Sequence, residues 1–261
     1  MSNRKYGYVR DCYDPRDLKL EVPAIQMAAA LPDSVDLRPR LIPVFDQKSL
    51  GSCTGNALAA EVAFDQDNQH LPHFIPSRLF IYYFERLIEG TVGQDAGAQL
   101  RNGCKALATY GVPREIYWPY DISQFTAAPP QAVQSVALLH RALAYHRVPQ
   151  TEAGIRWCLA SGFPFVFGFT VFGSFETAAV AASGIVELPA VGENILGGHA
   201  VVAVGYDQAS RRVICRNSWG EAWGDHGYFT MPYSYILDNK LADDLWVIRT
   251  LGNAAGPEPQ I

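Results

Sequence analysis

The sequence predicts an α+β fold of two lobes, a helical lobe followed by a β-rich one. Three observations carry this. Segments rich in Ala, Leu and other helix formers dominate residues 32–130, while short β-branched or aromatic runs bounded by Gly or Pro dominate the rest. Pro129-Pro130 marks the crossing between the two regimes. The 261 residues, 49% apolar and 18% charged, suffice to bury a substantial core.

The elements follow in order. Residues 1–31 form a leader, polar and aromatic at first and then Ala-rich, and Tyr6, Tyr8 and Tyr13 are its candidate anchors to the body. Residues 32–130 make the helical lobe. Cys53–Gln69 reads as a helix because Ala57-Leu58-Ala59-Ala60-Glu61 are good helix formers after a glycine turn. Ser77–Gly90 is a second helix with Ser77 as its N-cap, and Gln99–Tyr110 a third, ended by Gly111. Residues 131–261 make the β-rich lobe. It opens with a short helix over Thr151–Leu159. Strands are predicted at Phe163–Val171, Gly184–Leu188, His199–Tyr206, Arg212–Asn217 and Tyr228–Pro232.

Four side chains have the chemistry of acyl transfer. Only the thiolate form of a cysteine attacks a carbonyl well, and a helix N-terminus or a neighbouring imidazolium lowers the thiol pKa. Cys53 sits at the predicted start of its helix, where free backbone N–H groups point outward. His199 supplies a base that takes and returns the proton. Asn217 orients that ring through its amide without adding charge. Gln47 donates to a developing oxyanion beside the Cys53 N–H. With the nucleophile on the first lobe and the base on the second, the site falls in the cleft between them. Alone, a helical cysteine is usually a buried small hydrophobe, and that is the reading for Cys12, Cys104, Cys158 and Cys215.

The local text carries a resemblance. Leu31-Pro32-Asp33-Ser34-Val35-Asp36, Gln47 with Gly51-Ser52-Cys53, Gly198-His199-Ala200, and Asn217-Ser218-Trp219-Gly220 with Trp223-Gly224 occur in the order and spacing of the papain-like cysteine peptidases. The resemblance runs from about Leu31 to about Trp246. It implies a helical left lobe and a β-barrel-like right lobe with the cleft between them. It also implies that Trp219 screens the His199–Asn217 hydrogen bond, and that Gly97, Gly168, Phe169, Gly198 and Ala200 line the substrate cleft. The Gly168, Phe169 and Ala200 pocket would take the residue two before the cut, with an apolar preference. The chain departs from the family at Leu50 and Thr54, where a cysteine and a tryptophan are usual. The family's inhibitory prosegments lie in the cleft and run opposite to a substrate. Residues 1–30 are shorter than the helical prodomain of the plant and lysosomal members, and we expect them to pack across or beside the cleft and restrict access.

Composition narrows the alternatives. A net charge of −5 and no basic run argue against nucleic acid as a partner, and no apolar stretch reaches the roughly 20 residues of a membrane span. His70, His73, His140, His146 and His226 fit no metal-ligand spacing, and no C-x-x-C pair exists, so neither metal nor cofactor is expected. The five cysteines are scattered, which fits a reduced protein. Met1 to Pro15 hold no apolar signal core, so the chain is expected to be cytoplasmic or exported by a leaderless route. The expected activity is a cysteine endopeptidase acting on polypeptides as a monomer, open to proteinaceous cysteine-protease inhibitors. An acyl transferase using the same acyl-enzyme, or a non-catalytic peptide-binding homologue, remain the alternatives.

Overall fold

The structure is a computed structural model that describes residues 4–22 and 31–252. The Ala-rich end of the leader lies outside the described residues. Helix α1 (Cys53–Asn68) is buried on nearly every face, because small Ala and Gly side chains let its neighbours close in. A methyl on Gly55 would lie 2.8 Å from the carbonyl oxygen of Arg78, so glycine is what allows α1 and α2 to touch. Helix α2 (Arg78–Glu89) starts where Ser77 accepts a hydrogen bond from the Phe80 N–H and ends at Gly90 in the left-handed region. Helix α3 (Leu100–Tyr110) stops at Gly111, as expected.

After α4 (Gln131–Ala137) the chain turns to strands. These are β2 (Ala142–Arg147), β3 (Phe165–Phe172), β4 (Ile195–Asp207), β5 (Arg212–Arg216), β6 (Tyr228–Pro232) and β7 (Ala242–Leu251), joined in the sheet by β1 (Ser34–Asp36). Between them lie α5 (Glu152–Ala160), capped by Thr151, and two short helices, α6 (Ala178–Ser183) and α7 (Tyr233–Ile236). The order is β2-β7-β3-β4-β5-β6, antiparallel throughout, with β1 on β4. The sheet is therefore open, with β2 and β6 at its ends, and the β-barrel-like closure expected of this lobe does not occur. Two segments also cross the sequence-based division at 130. Strand β1 pairs inside the β-rich lobe, and Val133 and Ala137 of α4 pack against Phe80 and Phe84 of α2. The strand expected at Gly184–Leu188 reduces to one bridge, Ile185 to Thr230. No helix among the described residues is long and apolar enough to cross a membrane.

Candidate active site

Each proposed catalytic side chain is fixed by a different element. Cys53 is the first residue of α1 and is fully buried. The turn before it is held by Asp95, whose Oδ1 accepts from the Gly51 N–H at 3.0 Å and from the Tyr82 hydroxyl at 2.6 Å. Asp95 carried no sequence signal, since 44 residues separate it from Gly51. His199 lies on β4 opposite Phe169 of β3, and Asn217 follows directly on β5. The His199 Nε2 is 2.8 Å from the Asn217 Oδ1, which also accepts from the Ser218 N–H. A carbonyl oxygen only accepts, so Nε2 carries the hydrogen and Nδ1 keeps its lone pair. That Nδ1 has no hydrogen-bond partner. Trp219 stacks on the imidazole at 5.0 Å between centroids, and Phe169 and Phe175 pack around the same ring. Backbone N–H groups of Ala200, Gly7 and Thr54 act to lower the Cys53 thiol pKa.

The leader runs straight through this cluster. The Arg4 guanidinium lies 4.1 Å over the Trp219 ring. The Gln47 Nε2 donates to the Lys5 carbonyl at 3.1 Å and to the Leu50 carbonyl at 3.0 Å, while its Oε1 accepts from the Ser218 hydroxyl. Tyr6 meets the His199 ring edge-on, and its hydroxyl donates to Glu176. Gly7 passes so close to Gly51 that a side chain at either Gly7 or Gly97 would collide with the opposing backbone, at 1.7 and 2.1 Å. Tyr8 and Ala98 form a parallel bridge, with the Ala98 N–H on the Gly7 carbonyl and the Tyr8 N–H on the Gly198 carbonyl.

Of the cleft residues named from sequence, Gly97, Gly198 and Gly168 all touch the leader. The Tyr8 ring covers Gly168, where a methyl would lie 2.0 Å from it, and its hydroxyl donates to Asp244 Oδ2 at 2.5 Å. Phe169 lines a cavity of about 240 Å³ beside Tyr8. Ala200 is instead buried. Tyr13 is 90% exposed and does not anchor the leader, and Cys12 is exposed rather than core. The second anchor is polar. Asp11 and Asp17 engage Arg147 and Arg101, and Leu18 and Leu20 hydrogen-bond the Arg147 backbone.

Burial governs the electrostatics. It pushes the Cys53 thiol up to about 11 against the three N–H groups that pull it down. It pushes His199 down to about 4, with Asn217 opposing and Arg4 adding to the shift. Burial thus acts against charge on both groups in this leader-covered cluster. A dry site disfavours both charges. Burial and the Asp244 charge raise the Asp11 carboxyl to about 7, with Trp246 and Arg147 pulling against them. All five cysteines are free.

Three comparisons bear on this geometry. Residues 31–241 match the pattern of the papain family cysteine proteases. The uncharacterized peptidase C1-like protein L477 of Acanthamoeba polyphaga mimivirus is 40% identical over 95% of this chain and 87% of its own. The crystal structure of xylellain, a cysteine protease from Xylella fastidiosa, superposes with a TM-score of 0.89 at 42% identity, covering 95% of this chain and 97% of that one. Procathepsin B S9 from Trypanosoma congolense shares the fold at 18% identity and a TM-score of 0.74, over 97% and 88% of the two chains.

Proposed function

We propose a mechanism from a plain premise: the chain belongs to the papain family of cysteine proteases. Cys53 is its nucleophile, and the leader is a reversible plug in its cleft. When the leader lifts, water and substrate dipoles reach the site and the burial penalty on charge falls. The Cys53 proton then passes to the lone pair of His199 Nδ1, giving a thiolate beside an imidazolium. The thiolate attacks the peptide carbonyl carbon. The oxyanion accepts from the Gln47 Nε2 and the Cys53 N–H. His199 returns the proton to the leaving amine, and the C–N bond breaks. A water gives a proton to His199 and its oxygen to the thioester, releasing the acid and the thiol. Asn217 keeps the ring oriented throughout, and Trp219 keeps water off their hydrogen bond.

The observation that carries this reading is the Lys5 carbonyl on the Gln47 amide. The cleft already holds a peptide carbonyl against the donor that the mechanism assigns to the oxyanion. The direction of the leader supports a plug rather than a substrate. It runs parallel to residues 97–98, opposite to the polarity expected of a substrate in this family. Chain continues on both sides of Cys53, from Arg4 to Asp11, which favours internal bonds as substrates. Polypeptides are the substrate class, and a proteinaceous inhibitor would dock in the same cleft.

The test is kinetic. Cys53→Ala should abolish cleavage of a quenched peptide. Gln47→Ala should lower kcat by about 10²–10³ with little change in Tm. Wild-type turnover in the Cys53→Ala protein would remove the assignment.

A further inference from the structure

Asp11 of the leader is held by a receptor that belongs to the body of the protein. Its side chain is fully buried. Oδ2 accepts from the Arg147 Nη2 at 2.9 Å and from the Trp246 Nε1 at 2.9 Å, and Oδ1 accepts from the Arg101 backbone N–H at 3.2 Å. The donors come from three elements outside the leader. Arg147 ends β2, Trp246 lies opposite it on β7, and Arg101 stands in the first turn of α3. The Arg147 guanidinium also rests on the Trp246 ring at 4.5 Å. Beside this hole, Asp17 takes Arg101 and Arg147 together, at 2.7 and 2.6 Å.

Lifting the leader removes both carboxylates. Arg147 keeps Asp244 at 2.9 Å. Arg101, only 6% exposed in its side chain, keeps no ion-pair partner among the described residues. The open enzyme thus presents an uncompensated guanidinium, with N–H donors aimed at a vacated carboxylate position. A guanidinium pairs well with a carboxylate, bidentate and charge-assisted, so a substrate acid can take the place that the leader's acids leave. The position relative to the cut follows from the leader. Gly7 passes the sulfur, Tyr8 fills the pocket over Gly168, and Asp11 lies three residues beyond, roughly 13 Å from Gly7 along an extended chain. That is the side of the cleft upstream of the scissile bond.

We propose that Arg147, Arg101 and Trp246 form a carboxylate-binding subsite that selects peptides with an aspartate or glutamate four to six residues before the cleaved bond. It rests on the peptidase reading for its position, not for its chemistry. The leader holds the site closed by placing its own acids there, and an acidic substrate competes for the same donors.

The experiment uses the full-length protein and quenched peptides that differ at one upstream position, four, five or six residues before the cut, as Asp, Asn, Ala or Lys. The rate of leader opening is common to all and cancels in a ratio of kcat/KM. The Asp peptide should exceed its Ala counterpart by about tenfold at one of the three positions, with Lys below Ala. Arg147→Gln and Arg101→Gln should each lower that ratio while still cleaving the Ala peptide. The same peptides, labelled, are titrated into the full-length Cys53→Ala protein, so the preference is also read as a ratio of Kd. A preserved Kd ratio without any cleavage supports the subsite and removes the peptidase reading. Asp and Ala peptides equal in both measures, or an Asp preference unchanged in both arginine variants, would overturn the subsite.

Discussion

Cys53 and His199 are buried where Tyr6, Gly7 and Tyr8 of the leader pack, and that burial disfavours charge on both. One close point of that packing is Gly168. Its missing side chain is the space that the Tyr8 ring occupies. Gly168→Ala should expel Tyr8 from this position, because a methyl there would lie 2.0 Å from the ring. Burying a side chain of that size is worth about 2–3 kcal/mol, so kcat/KM toward a small peptide should rise by about tenfold or more. Kinetics on the purified variant checks this, with Tm as a control for folding. Unchanged kcat/KM would mean that Tyr8 does not limit access.

Among the elements, α2 was readable to the residue and β7 was not readable at all. The text Ser77-Arg78-Leu79-Phe80 states its own cap, because Ser77 Oγ reaches the Phe80 N–H locally. Ser77→Ala should therefore cost about 1 kcal/mol, read as a lower midpoint in urea at an unchanged m-value. Thr151 caps α5 in the same way, whereas α1 was legible from its run of helix formers and α3 from the glycine that ends it. Strand β2, Ala142-Leu143-Ala144-Tyr145-His146-Arg147, lacks the β-branched signature, and β7 carries Asp243-Asp244 within it. Those charges are met in the fold, Asp243 by Arg10 of the leader and Asp244 by Tyr8 of the leader and Arg147 of β2. The residues named from sequence for the catalytic cluster had motif neighbours to identify them. The polar anchor had none, since Asp11 and Arg147 are 136 positions apart. The open sheet was misjudged because edge pairing is set by tertiary contacts and not by strand composition.

At the scale of the whole molecule, buried acids tie the stability of the helical lobe to pH. Glu85 is fully buried beside α1, takes one hydrogen bond from Thr54 at 2.7 Å, and is raised by burial to about 8. Glu61 and Asp65, stacked on α1, are raised well above the usual carboxylate range by burial, with the Asp65 charge adding to the shift of Glu61. In the unfolded chain a glutamate titrates near about 4.3. The folded state therefore holds its proton over the window between those values. The contribution of a neutral Glu85 is complete below about pH 4 and is lost as pH rises through about 8. Stability from this group falls with pH by at most about 1.4 kcal/mol per unit. In calorimetry from pH 5 to pH 9, the Tm of Glu85→Gln minus that of the wild type should grow more positive as pH rises. A difference that stays flat would show that Glu85 ionises no less readily in the fold than outside it.

Central to the proposed function is Cys53, a nucleophile shielded by residues 4–11. The direct measurement is the second-order rate of covalent labelling by an epoxide probe, with the modified residue mapped by mass spectrometry, in the wild type and in Tyr8→Ala. Label on Cys53 in both proteins is expected, about tenfold or more faster in Tyr8→Ala. Label confined to the exposed Cys12, or equal rates at Cys53 in the two proteins, would contradict it.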